Sequence, residues 1–201
     1  MKTSLRPRRR SACLVRGFTL IELLVVVGII ALLAGVAIPV TTAVIRKGHE
    51  TSTRALVMGV NTAVANYEAD YNRLPTPAPG DEDPVKTDDS TDLTSVLLGQ
   101  NVANLNPKGV RYLTANLANK SGRAGLVARG GAWALMDDWG HPFCVLMDTD
   151  YDQLLANPDA QNLDQAIAEA ASPDIPASVA VFSPGYDGDA FTRDDITSWR
   201  R

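Results

Sequence analysis

The feature that most constrains this chain is the apolar run FTLIELLVVVGIIALLAGVAIPV at residues 18–40, which contains one charged side chain, Glu22. As an α-helix rising about 1.5 Å per residue, the run would be roughly 35 Å long, enough to cross the hydrocarbon core of a bilayer. The apolar part of an ordinary secretory signal peptide is shorter and is followed by a small-residue cleavage site. The run therefore predicts a single membrane-spanning helix, which we place at residues 18–45.

Charge is distributed unevenly along the chain. Residues 1–17 hold six of the 19 Lys and Arg residues and none of the 23 acidic residues, so the remainder carries a net charge near −10. The basic flank of a membrane helix stays in the cytoplasm, which places the acidic remainder on the far side of the membrane. An acidic surface also repels phosphate backbones, so we expect no binding to nucleic acid.

Glu22 is unusual because it places a carboxylate near the start of the apolar run. Ionisable groups inside a membrane are costly, and they usually have a partner and a function. Cleavage of the chain before Phe18 would create an α-amino group, which is the natural cationic partner of this carboxylate. The alternative is a carboxylate that reaches the membrane surface and has no role.

The segment GFTLIE at residues 17–22 follows a basic stretch and opens the apolar run, and this order and spacing resemble the signature of type IV prepilins. The resemblance implies that residues 1–17 are a leader and that a membrane prepilin peptidase cuts after Gly17. It implies that the same enzyme methylates the new amine of Phe18. It also implies that Glu22 helps to dock the subunit into a filament.

A helical pattern continues beyond the apolar run, because apolar residues recur at spacings of one, three or four. These residues are Leu56, Val57, Val60, Val64, Tyr67, Tyr71 and Leu74. Pro75 ends the pattern, and the proline-rich, acidic segment 75–92 is typical of a solvated loop. The pattern predicts an amphipathic helix whose apolar stripe packs on a folded head formed by residues 46–201.

Short apolar runs in the second half of the chain have strand character. They occupy residues 132–136, 143–147 and 178–183. Between the first two, the segment DDWGHP at residues 137–142 predicts a surface turn, and residues 158–171 predict a short helix. We therefore expect an α+β fold, in which one long N-terminal helix packs on a small antiparallel sheet, as in type IV pilins.

Three short segments narrow the resemblance to the major pseudopilins of type II secretion systems. The segments are DWGHPF at 138–143, SPGYDG at 183–188 and DDITSW at 194–199, and their order along the chain also matches. The resemblance implies a structural subunit that polymerises through its N-terminal helix into a periplasmic pseudopilus and so drives protein secretion. The implied partners are other copies of this chain, prepilin peptidase, other pseudopilins, the secretion platform and the inner membrane, with the head in the periplasm.

The C-terminal segment is a candidate calcium site. Asp187, Asp189, Asp194 and Asp195 lie close together in the sequence, and Ca²⁺ prefers flexible loops that combine carboxylates with backbone carbonyls. From composition alone, a solvated acidic loop is the alternative. Major pseudopilins carry calcium in this loop, and the resemblance implies Asp187 and Asp195 as ligands, with Asp194 or Asp189 third and the carbonyl of Pro184 as a backbone ligand.

The sequence argues against an enzyme. Its two histidines, His49 and His141, have no partner at a catalytic spacing, and there is no nucleophile motif, phosphate-binding glycine loop or zinc spacing. Cys144 lies among apolar residues and predicts a buried small side chain. The alternative to a pseudopilus subunit is a type IV pilin or minor pilin that acts in adhesion or at a filament tip.

Overall fold

The structure, a computed structural model, describes residues 17–76, 84–88 and 91–200, without the side chains of residues 36–40 and 91. The predicted leader, residues 1–17, therefore lies outside the described residues except for Gly17. The chain divides into two compact units, Met1–Val44 and Ile45–Arg201.

One helix, α1 (Leu20–Tyr71), dominates the N-terminal part of the chain. In the first unit, its described apolar side chains are exposed, with Leu20 at 81% and Leu32 at 70%. Among the described residues of this unit, no core covers these side chains. Within the part of the chain that the structure describes, no helix has the combined length and apolar character that crossing a membrane requires.

In the second unit, the last turns of α1 carry the apolar stripe that the sequence predicted. Val57, Val60, Val64 and Tyr67 are at most 1% exposed, and each fully buried side chain of this size contributes roughly 1.5–3 kcal/mol. Leu74, beyond the end of the helix, is buried in the same core. The predicted stripe is therefore confirmed, and it makes α1 the central packing element of the head.

The head contains a four-stranded antiparallel sheet with the strand order β1-β4-β7-β8. Its strands are β1 (Val85–Lys86), β4 (Cys144–Met147), β7 (Val179–Ser183) and β8 (Ile196–Thr197). The central pair β4 and β7 is in register from Cys144 opposite Phe182 to Met147 opposite Val179. The α+β fold class is confirmed. The interpretation of 75–92 as a simple loop is wrong, because β1 within it pairs with β4.

Among the described residues of the head, two further strand pairs and three short helices accompany this sheet. The pairs are β2 (Gly125–Arg129) with β3 (Ala132–Met136), and β5 (Leu155–Ala156) with β6 (Asp174–Ile175). The helices are α2 (Thr91–Leu97), a 3₁₀ turn (Pro158–Gln161) and α3 (Gln165–Ala170). The last two together replace the single helix predicted at 158–171.

The central strands bury side chains on both faces, because successive residues of a strand point to opposite sides. Val145 and Val181 face the main core with α1, whereas Leu146 and Phe182 belong to a second apolar cluster. Cys144 is buried in that second cluster, as its apolar neighbours predicted. The two clusters fix the strands that carry the C-terminal loop.

Candidate assembly and metal sites

The predicted processing and assembly residues lie at the start of α1. Phe18, the residue that follows the predicted cleavage, is 73% exposed. Glu22 accepts hydrogen bonds through Oε2 from the backbone N–H and the hydroxyl of Thr19, both at 2.8 Å. The Thr19 hydroxyl oxygen accepts a bond of 3.2 Å from the N–H of Glu22. These reciprocal bonds form a capping box, which pairs N–H groups that a helix leaves open at its start.

Glu22 therefore has a role within its own subunit that the charge pattern did not predict. The signal was present in the sequence, because Thr19 precedes Glu22 by three residues at the start of an apolar run. The bonds to Thr19 use one carboxylate oxygen, Oε2. The second oxygen of this exposed carboxylate can still accept a bond from a cationic group outside the subunit.

The turn after β3 is built around a buried carboxylate. Asp137 is fully buried, and its Oδ1 accepts hydrogen bonds from the backbone N–H groups of Trp139, Gly140 and His141 at 2.7–2.9 Å. Its Oδ2 accepts a bond of 2.6 Å from the hydroxyl of Ser183 at the end of β7. The predicted surface turn is thus wrong for Asp137, since a distant strand covers it.

The next residue of the turn contacts α1. Asp138 Oδ2 lies 3.0 Å from His49 Nδ1, and Asp138 Oδ1 accepts a bond of 2.9 Å from the Ser52 hydroxyl. The N–H of Asp138 donates to the hydroxyl of Thr53 at 3.3 Å. His49 therefore has a partner that the sequence did not reveal. Ser52 donates to the aspartate and not to the histidine, so the three do not form a nucleophile and its base.

The same turn also contacts the C-terminal loop, residues 183–199. His141 Nδ1 lies 2.9 Å from the carbonyl oxygen of Gly185, so this nitrogen carries the proton and donates. Gly185 has a φ of +74°, and a Cβ at this position would lie 2.4 Å from the carbonyl oxygen of Asp194. The close approach of these two backbones therefore requires glycine here.

The centre of the C-terminal loop is the hydroxyl of Thr192, which lies among four oxygen atoms. Asp194 Oδ1 is 2.8 Å away, the carbonyl of Asp189 3.3 Å, Asp195 Oδ1 3.4 Å and Asp187 Oδ1 3.5 Å. The hydroxyl has one hydrogen and can satisfy one of these acceptors well. Asp187 Oδ1 also accepts a bond of 2.9 Å from the N–H of Asp189. Carboxylate, carbonyl and hydroxyl oxygens are the ligand types that Ca²⁺ prefers, so the donor types around Thr192 fit calcium.

The two adjacent aspartates of this loop have different acidities. Burial raises the pKa of Asp195 to about 6, although N–H groups of the loop and the guanidinium of Arg200 act in the opposite direction. Burial also acts to raise the pKa of Asp194, but hydrogen bonds from the Thr192 hydroxyl and from backbone N–H groups outweigh it and lower the pKa. Asp194 is therefore the more strongly ionised of the pair, and Asp195 gains most from a nearby cation.

The structure brings most of the predicted calcium ligands together. The carboxylates of Asp187, Asp194 and Asp195 all approach Thr192, whereas Asp189 does so through its backbone carbonyl. The carbonyl of Pro184 is not among the oxygens around Thr192. Sequence reasoning missed Thr192 itself, although a hydroxyl between aspartates is a common source of a ligand oxygen.

A second carboxylate group lies elsewhere on the head. Single carboxylate oxygens of Asp148, Asp150 and Asp152 lie within 4.8 Å of one another. No three aspartates of the C-terminal loop have carboxylate oxygens this close together. Asp148 is buried, and its carboxylate accepts bonds from the N–H groups of Asp152 and Gln153 at 3.2 and 2.7 Å. These backbone bonds account for the approach of the three side chains. The alternating DTDYD pattern signals the group in the sequence.

The end of the chain is held by a buried carboxylate. Asp159 Oδ2 accepts bonds from Trp199 Nε1 at 2.7 Å and from Arg200 Nε at 2.8 Å. Asp159 is 5% exposed, so its charge requires these partners. Asp159 lies outside every motif that the sequence singled out, and it anchors the C-terminal loop from the side opposite His141.

Comparison with known proteins finds two similarities in sequence. Residues 14–38 match the family described as the prokaryotic N-terminal methylation motif. The chain is 24% identical over 183 residues to the type II secretion system core protein G of Aeromonas hydrophila, and the match covers 91% of each chain. No solved structure gives a significant match.

Proposed function

We propose that this chain, which resembles type IV pilins in its N-terminal motif and fold class, is a structural subunit of a type II secretion pseudopilus. Prepilin peptidase removes residues 1–17, the mature subunits polymerise through their N-terminal helices, and the growing filament drives protein secretion. The observation that carries the proposal is the combination of a methylation motif with a helix start whose described apolar side chains are exposed. The protein is not an enzyme.

Before assembly, the subunit is anchored by residues 18–45 in the inner membrane, with its head in the periplasm. This step rests on the apolar run and on the basic residues that precede it. In the filament, contacts between helices of neighbouring subunits replace the lipid that covers these side chains. The proposed partners are other copies of the chain, other pseudopilins, prepilin peptidase and the membrane platform of the secretion system.

Glu22 has a two-part role in this proposal. Its Oε2 caps α1 through Thr19, and Oε1 accepts a bond from the α-amino group of Phe18 on a neighbouring subunit. Removal of the leader is what creates that amine, so cleavage and assembly are coupled. The capping bonds support this role because they hold the carboxylate at the helix start in a defined position.

We also propose that the C-terminal loop binds Ca²⁺. The oxygens of Asp187, Asp189, Asp194, Asp195 and Thr192 would hold the ion, which would neutralise the carboxylates that face one another there. His141 and Asp159 position the two ends of the loop independently of the ion. Calcium would therefore order the middle of the loop and leave the fold of the sheet unchanged.

The processing step is tested by mass spectrometry of the protein from cells that contain prepilin peptidase. The mature chain is expected to begin at Phe18 and to carry one methyl group. Gly17→Val is expected to block cleavage, because a peptidase cleft shaped for glycine excludes a branched side chain. A mature chain that begins at Met1 or elsewhere contradicts the proposal.

The assembly step is tested by overproduction with the secretion machinery, followed by shearing of the cells. A major pseudopilus subunit is expected to form homopolymers, which electron microscopy detects. A subunit that is processed normally but enters filaments only in trace amounts would instead be a minor or tip subunit, as in the adhesion alternative.

A further inference from the structure

A groove of about 460 Å³ lies on the head between the α1 segment that begins at Arg46 and the C-terminal loop. Four cationic side chains line it, Arg46, Lys47, Arg54 and Arg193. Its acidic lining residues are Glu50, Asp194 and Asp195, so the formal charges sum to +1. The groove is therefore a concentrated patch of cations on a head that is acidic as a whole.

The cations of the groove are only partly neutralised. Glu50 pairs with both Arg46 at 3.3 Å and Lys47 at 3.1 Å, so one carboxylate serves two cations. Arg193 has a loose contact of 3.8 Å with Asp164, and its side chain is 85% exposed. Arg54 has no ion pair or hydrogen bond among the described residues. At least two positive charges can thus bind an additional anion.

Two acids of the groove, Asp194 and Asp195, are bonded to the backbone of the C-terminal loop. Oδ2 of Asp194 accepts bonds from backbone N–H groups at 2.7 and 3.2 Å, and Oδ2 of Asp195 does the same at 2.9 and 3.2 Å. Calcium in the C-terminal loop would neutralise both carboxylates. The groove would then have a formal charge of about +3, so calcium should strengthen its binding of an anion.

The position of the groove in the chain identifies the anion. Arg46 follows directly after residues 18–45, so under the proposed membrane anchoring the groove begins where the chain leaves the bilayer on the periplasmic side. Arginine forms strong paired hydrogen bonds with phosphate, and basic residues next to a membrane helix attract anionic lipids. We propose that this groove binds the phosphate of an anionic phospholipid headgroup in the unassembled subunit. This inference rests on the proposed membrane anchoring and calcium binding.

The test is native mass spectrometry of the full chain in non-ionic detergent, titrated with phosphatidylglycerol or with phosphatidylcholine. The parent is expected to bind the anionic lipid about tenfold more tightly than phosphatidylcholine. The double variant Arg54→Gln with Arg193→Gln should lose most of this preference, since each such cation increases the affinity for an anionic lipid roughly fivefold. The matched control is Lys120→Gln with Arg111→Gln, which makes the same charge change elsewhere on the head. The control keeps the basic leader and should keep the preference.

Two further arms identify the source of the phosphate and the role of calcium. Inorganic phosphate should bind much more weakly than phosphatidylglycerol, because it lacks the acyl chains that the detergent micelle accommodates. Calcium should increase the lipid preference of the parent and leave that of the groove variant unchanged. Equal binding of free phosphate would overturn the assignment to a lipid.

The proposal is also overturned if the groove variant, Arg54→Gln with Arg193→Gln, keeps the parent's lipid preference. It is equally overturned if the control variant loses as much of this lipid preference as the groove variant. A groove variant that keeps the preference but fails to form filaments would show that the groove binds a carboxylate of a second copy. Melting temperatures of all three proteins, from Trp fluorescence, must agree for these comparisons to hold. Filament formation and stabilisation by calcium are measured separately, so their failure is distinguishable from failure of the lipid site.

Discussion

Asp195→Asn is expected to stabilise the calcium-free head, residues 46–201, at neutral pH. In the folded state, burial raises the pKa of Asp195 from an ordinary value of 3.8 to about 6. A carboxyl whose pKa is higher in the folded than in the unfolded state binds its proton more tightly in the folded state. The stability that this proton contributes is present at low pH and is lost as the pH rises from about 4 to about 6. A shift of about two pKa units corresponds to about 3 kcal/mol, which we reduce to about 1–2 kcal/mol because solvent reaches part of this loop.

The asparagine side chain keeps the hydrogen bonds, because its oxygen can accept from the N–H groups of Phe191 and Thr192 as Asp195 Oδ2 does. It resembles the protonated acid at every pH. In the presence of chelator, the variant and the parent should therefore be equally stable near pH 4, and the variant should be more stable by about 1–2 kcal/mol at pH 7.

The assay is urea unfolding followed by Trp fluorescence at a series of pH values, with chelator and with millimolar calcium. Calcium should raise the stability of the parent at pH 7 far more than that of the variant, and magnesium should substitute poorly. Asp189→Asn is the matched control, since the Asp189 side chain is exposed and this residue contacts Thr192 through its carbonyl. A difference between variant and parent that does not grow with pH would refute the reasoning.

Three further predictions concern the residues that position the sites. Thr19→Ala removes the capping box and should retain filament assembly at reduced yield. Glu22→Ala should insert into the membrane and be processed normally but should not assemble into filaments. If the two variants reduce the yield of sheared filaments equally, Glu22 has no separate docking role. Asp137→Ala should lower the free energy of unfolding by about 3 kcal/mol, because three N–H groups and a hydroxyl lose their buried acceptor, and denaturant unfolding measures this loss. Gly185→Ala should lower the melting temperature more than Gly122→Ala. Both glycines have a positive φ, but of the two only Gly185 would place a Cβ 2.4 Å from a backbone oxygen. Equal losses of melting temperature would show that this close approach does not require glycine.

The elements that could be predicted from sequence are those encoded by a local period. The stripe from Val57 to Tyr67 repeats every three or four residues, and β3 matches its predicted bounds, Ala132–Met136. The edge strand β1 could not be predicted, because Val85 and Lys86 form too short a run within a proline-rich segment. Its strand conformation depends on pairing with β4, which lies far along the chain.

The site residues follow the same division. The prepilin signature and the C-terminal aspartates could be found because they are close together in sequence. The roles of the turn residues could not be predicted, because each depends on a partner in another part of the chain. Asp137 contacts Ser183, Asp138 contacts His49, and His141 contacts Gly185. A turn sequence predicts the path of its own backbone and does not reveal which distant groups cover it.

The length of the outer strands of the sheet has a consequence for the proposed filament, in which heads lie at high local concentration. Both edges of the four-stranded sheet, β1 and β8, are only two residues long. A long unpaired strand edge would offer backbone groups to any neighbouring chain, which is a route to amyloid-like aggregation. With such short edges, the head can crowd against its copies without adding strands to their sheets, and ordered self-association is left to the N-terminal helix.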